Sequence, residues 1–120
     1  MKGFGMRVER LESGAFVLAL SGDFDLQHLY NFEEELRKLE QTRPRCIALD
    51  LRELDFIDSS GLRQLLAARR RAKRAARRLV LIGGDAAIQR LFALAGLRDA
   101  FEMASDVPAE LRVAPAEQQL

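Results

Sequence analysis

Apolar and polar positions alternate over Met6-Arg7-Val8-Glu9, which predicts a half-buried strand. Ser13-Gly14 is a turn signal, and Phe16-Val17-Leu18-Ala19-Leu20 follows as a more fully buried strand, so the pair predicts a hairpin. Ser21-Gly22-Asp23-Phe24-Asp25 then breaks the pattern. A helix is expected from about Leu26 to Gln41, because Leu26, Leu29, Phe32, Leu36 and Leu39 recur at steps of three and four. Asp25 suits its N-cap, and Pro44 sits in the turn before an apolar strand at Cys46 to Leu51. A short connection ending in Phe56-Ile57 leads to Asp58-Ser59-Ser60-Gly61.

A second helix, about Ser60 to Arg77, separates into two faces. Leu65, Ala68, Ala72, Ala75 and Ala76 form the buried one. Arg63, Arg70, Arg71, Arg74, Arg77 and Arg78 form the solvated one, with Leu62 and Leu66 at the margin. Leu79-Val80-Leu81-Ile82 reads as a central strand buried on both sides, and Gly83-Gly84-Asp85 as a turn with Asp85 capping the next helix. Ile88, Leu91, Phe92 and Ala95 mark that helix's apolar stripe. Gly96 ends it, with Leu97 folding back onto Phe92 in a Schellman cap. A last strand lies near Phe101-Glu102-Met103, and Ser105 or Asp106 opens a short helix toward Leu111. Strands alternating with helices predict an α/β fold: a mixed, mostly parallel central sheet with an N-terminal β-hairpin and helices packed on it. One domain over residues 1–113 is expected, with 114–120 a polar, frayed tail.

Composition narrows the class. Hydrophobic residues at 48% and charged residues at 31% describe an ordinary globular chain. The longest apolar runs, such as Ala15 to Leu20, are too short to cross a bilayer, and Met1-Lys2-Gly3-Phe4 leads into charge, so neither a membrane span nor a secretory signal is expected. The one cysteine, Cys46, opens an apolar strand and reads as a buried thiol of a cytoplasmic protein. The net charge of +1 gives no global attraction to nucleic acid, although Glu33-Glu34-Glu35 and Arg69 to Arg78 make local faces of opposite sign.

Catalytic chemistry finds little footing. The only histidine, His28, is expected on the surface, and Asp-Ser-Ser-Gly lacks the G-x-S-x-G of a nucleophile elbow. One His and one Cys offer no metal cluster, and Gly83-Gly84 lacks the lysine and spacing of a phosphate loop. No aromatic residue is interleaved with the arginines for stacking on bases. The notable stretch is Asp58-Ser59-Ser60-Gly61, which sets two hydroxyls at the first turn of a helix beyond a strand end. A residue there can cap the helix, or it can accept and lose a phosphate next to free N–H groups and the positive end of the dipole.

Ser21-Gly22-Asp23-Phe24-Asp25, Leu49-Asp50-Leu51, Phe56-Ile57-Asp58-Ser59-Ser60-Gly61-Leu62, Leu79-Val80-Leu81-Ile82-Gly83, Leu94-Ala95-Gly96-Leu97 and Phe101 occur in one order. In this the chain resembles a STAS domain (sulfate transporter and anti-sigma factor antagonist), and within that family a free-standing anti-sigma factor antagonist, from roughly Met6 to Leu111.

The resemblance implies a non-enzymatic partner switch. An unmodified antagonist binds an anti-sigma factor that is also a serine kinase, and so frees a sigma factor. The kinase, with its own ATP and Mg²⁺, phosphorylates the serine after the aspartate, here Ser59, with Ser60 a possible substitute. A phosphatase resets the protein, which itself needs no cofactor. The implied partner surface comprises Asp25, Asp58, Ser60, Gly61, Leu62 and Leu66, with no direct nucleic-acid or membrane contact. Small STAS proteins also serve as accessory subunits that bind the ATPase of lipid-transporting ABC complexes. The family often carries glycine where the second helix turns into the next strand, and here Ala76 stands near that position.

Overall fold

The computed structural model describes residues 3–114. Five strands form one sheet in the order β1-β2-β3-β4-β5: β1 (Phe4–Arg10), β2 (Phe16–Phe24), β3 (Cys46–Ile57), β4 (Arg78–Ile82) and β5 (Glu102–Ala104). The first two pair antiparallel, Met6 opposite Leu20, and every later pair is parallel. The helices are α1 (Leu29–Gln41), α2 (Ser59–Arg74) and α3 (Ala86–Leu94). This is the α/β architecture the hydrophobic pattern predicts. The expected tail lies for the most part outside the described residues.

Alternation along β3 divides the core. Ile47, Leu49, Leu51, Leu54 and Ile57 face the helices and pack with Leu18, Leu20, Phe24, Phe32, Leu36, Leu65 and Phe92. Cys46 and Ala48 face the other way, with Val17, Val80 and Ile82, where Leu11, Ala15, Val107 and Leu111 cover the sheet. Burial pushes the Cys46 thiol up to about 11, which suits an inert packing role.

Several elements depart from the sequence reading. Strand β2 runs on through Ser21-Gly22-Asp23-Phe24, where a break is expected. Its register shifts flank Gly22, whose φ of +80° absorbs the irregularity, and a Cβ there would overlap the Gly3 carbonyl. Likewise β3 extends to Ile57 rather than ending at Leu51. Helix α1 is preceded by a 3-10 turn at Leu26–His28, which leaves Leu26 69% exposed instead of on the buried stripe. The last short helix, Ala109–Leu111, begins later than Ser105 or Asp106 would place it.

Helix α2 ends earlier than expected, so Ala75 and Ala76 are exposed past its last turn. The arginine face is only partly solvated. Arg71 pairs with Glu40 at 2.9 Å, Arg77 approaches the same carboxylate at 3.7 Å, and Arg78 pairs with Glu110 at 2.9 Å and with Glu102. The acids come from α1, β5 and the last turn, so the helix's own periodicity carries no sign of them.

Candidate functional site

Strands β2 and β3 are parallel, so their carboxyl ends lie side by side, Phe24 opposite Ile57. In open α/β sheets this edge is where partners and ligands are met. Here both strands turn into helices within two residues, and the link between them is Asp58. Its backbone N–H donates to the Phe24 carbonyl at 3.3 Å. One carboxylate oxygen accepts from the Gly61 N–H at 2.9 Å, capping α2, and the other accepts from the Leu26 N–H at 3.2 Å. A single side chain thus fixes the start of α2 against the start of the 3-10 turn.

Because Asp58 is the cap, Ser59 is not. Ser59 occupies the first helical position, exposed, and its hydroxyl makes no hydrogen bond among the described residues. Ser60 follows, half-buried and likewise without a side-chain bond among them. The N–H groups of this first turn precede the first helical bond, Leu62 N–H to the Asp58 carbonyl at 3.0 Å. The turn sits tightly on the sheet. A Cβ on Gly61 would lie 2.7 Å from Ile57 Cγ1 and 2.9 Å from the Phe24 oxygen, so only glycine allows this approach.

Asp25 belongs to the same edge. It caps the 3-10 turn by accepting from the Gln27 N–H at 3.1 Å, and it lies 2.8 Å from His28 Nδ1. His28 is therefore not a free surface residue. Its ring stacks on Phe4 at 5.2 Å, and Phe4 stacks in turn on Phe24 at 5.3 Å. Phe4 and His28 were not singled out by the sequence as members of this edge. His28 pairs with Asp25 from three residues away, and Phe4 stacks on His28 from a remote segment, a contact that no local pattern signals.

Leu62 is corrected by the structure. It is 7% exposed and packs in the helix-facing core, so its side chain anchors α2 rather than presenting itself outward. Leu66 is half-buried against the same core. The exposed apolar groups flanking the edge are Leu26, Tyr30 and Phe56. Leu26 escapes sequence detection because a step of three to Leu29 fits a helical stripe as well as a 3-10 turn. Among the described residues no group of three or more His, Cys, Asp or Glu could hold a metal, and no helix is long and apolar enough to cross a membrane.

Solved structures with the same fold share little sequence with this chain. An anti-sigma factor antagonist from Mycobacterium paratuberculosis is 21% identical, with 88% of each chain covered and a TM-score of 0.79. The anti-sigma factor antagonist SpoIIAA in its unphosphorylated form is 20% identical over 88% of this chain and 92% of that one, with a TM-score of 0.68. SpoIIAA of Bacillus in its phosphorylated form is 21% identical over 85% and 93%, with a TM-score of 0.67. The family model described as "Mlab, STAS domain" matches residues 8–105, and the chain belongs to the STAS domain family.

Proposed function

We propose that this chain is an anti-sigma factor antagonist that works as a partner switch, with Ser59 as the phosphate acceptor. STAS domains are generally binding modules, and the fold is that of proteins bearing the antagonist name. The observation that carries the reading is the division of labour at the first turn of α2. Asp58 caps the helix, which leaves the Ser59 hydroxyl exposed and without a structural task. A serine that were itself the cap would have its oxygen engaged with backbone N–H groups.

The physical consequence of phosphate at Ser59 differs inside and outside the molecule. A charge of about −1.5 to −2 at a helix N-terminus meets free N–H groups and the positive dipole end, so the fold tolerates it. A partner docked over the same turn faces that dianion beside Asp58 and Asp25, with desolvation and repulsion worth several kcal/mol. Each 1.4 kcal/mol weakens binding about tenfold. The partner of this reading is an anti-sigma factor serine kinase, contacted through Asp25, Asp58, Ser60, Gly61 and Leu66, with a phosphatase restoring the free hydroxyl.

The family model's description favours a second reading, in which the same edge binds the ATPase of a lipid-transporting ABC complex and Ser59 is never modified. Wild-type, Ser59→Ala and Ser59→Asp baits incubated with cytosol of the native host separate the two. The switch predicts an ATP-binding kinase retained by wild type and alanine but not by aspartate. Equal recovery of a transporter ATPase by all three baits sinks the switch and establishes the second reading.

A further inference from the structure

The parallel crossovers bring the C-termini of α1 and α2 together at the end of the sheet opposite Ser59. Glu40, in the last turn of α1, is the carboxylate at that junction, and its side chain is 10% exposed. Arg71 Nε donates to both of its oxygens, at 2.9 and 3.1 Å. Arg77 Nη2 stands 3.7 Å away and Arg37 Nη1 3.9 Å, both beyond hydrogen-bond reach. One carboxylate therefore faces three guanidiniums.

Two of those guanidiniums have donors to spare in poorly solvated places. The Arg77 side chain is 6% exposed and makes no hydrogen bond among the described residues. Arg71 Nη2 is buried with no partner. A buried charged donor left unsatisfied costs more than a neutral one. Arg77, though not Arg71, lines a depression of about 410 Å³ together with Glu40, Arg43, Pro44 and Ala75. Arg43 adds a fourth guanidinium, held at the rim by a left-handed backbone (φ +57°). The two helix C-termini contribute about half a negative charge each. Together with Glu40 they offset about two of the four positive charges, and the charges of Arg37 and Arg43 are exposed to solvent and screened. A water molecule would satisfy a donor but not the charge; an oxyanion does both.

We infer that the depression between the C-termini of α1 and α2 is a binding site for a phosphate-type oxyanion, held by Arg77 and Arg43 and tuned by Glu40. Arg77 supplies the donor from a largely buried side chain, Arg43 closes the rim, and Arg71 engages both oxygens of Glu40, the one carboxylate in the lining. The site is remote from Ser59 and does not depend on the switch.

The test is calorimetric titration of the full chain with inorganic phosphate, at constant ionic strength set by chloride. Saturable binding is expected, weakened about tenfold or more in Arg77→Gln. Arg43→Asn weakens it too without loss of thermal stability, since asparagine accepts the left-handed backbone. Glu40→Gln moves the other way and tightens phosphate while lowering stability, an inversion that a merely structural cluster does not produce. Arg70→Gln, on the exposed face of α2, leaves binding unchanged. Vesicles of phosphatidylcholine with and without phosphatidic acid form the second arm. Co-sedimentation lost in Arg77→Gln supports a headgroup as the natural source, and phosphate binding without co-sedimentation supports a soluble one. No phosphate binding by the wild type overturns the site, and so does an equal loss in Arg70→Gln and Arg77→Gln.

Discussion

Helices α2 and α3 end in the same turn with different residues, which makes Ala76→Gly a sharp test of the backbone argument. After α3, Leu97 N–H donates to the Phe92 carbonyl at 2.8 Å and Gly96 N–H to Ala93 at 3.1 Å, with Gly96 at φ +72°. After α2, Arg77 N–H donates to Ala72 at 2.8 Å and Ala76 N–H to Lys73 at 3.2 Å, with Ala76 at φ +54°. Both are Schellman caps, but only one has the residue that the left-handed position favours. A non-glycine residue there costs about 1–2 kcal/mol. Glycine gives back about 0.4–1 kcal/mol through the freedom of the unfolded chain. Ala76→Gly is thus expected to stabilise by about 0.5–1 kcal/mol, or about 2–4 °C in Tm for a domain of this size. Gly96→Ala, with nothing within 4 Å of the added Cβ, isolates the same backbone term with opposite sign and similar size. Urea unfolding followed by circular dichroism gives both values. Destabilisation by Ala76→Gly, or a Gly96→Ala variant as stable as wild type, refutes the reasoning.

At the site, Gly61→Ala forces a Cβ against Ile57 and the Phe24 carbonyl and is expected to cost about 1–3 kcal/mol, read by chemical denaturation, with loss of partner binding. Asp50 is buried beside Ala48 and Ile82, and burial alone raises its carboxyl. The Arg52 guanidinium, at 3.0 and 2.8 Å, together with the Arg52 backbone N–H at 3.0 Å, outweighs that and holds it below the usual aspartate range. A depressed folded value means the pair's contribution is present above an ordinary aspartate's 3.8 and lost as pH falls through the lower folded value. Asp50→Asn is therefore expected to be less stable at pH 7 by about 1–2 kcal/mol, with a shallower loss of Tm between pH 5 and 2. An unchanged acid slope removes Asp50 from the account.

The sequence discloses much of this molecule because its local signals agree. The hairpin, the double-sided burial of β4, the Asp85 cap and the Gly96-Leu97 turn each follow from a few adjacent residues. What escapes is set by contacts between segments far apart in the chain. Gly22 reads as a break, yet its positive φ is the means by which β2 continues and brings Phe24 to the edge. Arg71, Arg77 and Arg78 read as a solvated face until Glu40, Glu102 and Glu110 arrive from other elements. Around Ser59 the residues are legible but their division of labour is not. Aspartate and serine both suit an N-cap, and only the hydrogen bonds from Gly61 and Leu26 to Asp58 show which one does the capping.

The central claim is that phosphate on Ser59 changes what the chain binds while leaving its fold intact. Its most direct test uses the chain carrying phosphoserine at residue 59, titrated calorimetrically against the partner recovered with the unmodified bait, alongside a thermal melt of each form. The account predicts affinity at least tenfold weaker for the phosphorylated chain, with Tm within a few degrees of the unmodified one. Equal affinity for the two forms, or a phosphorylated chain that has lost its cooperative melt, contradicts it.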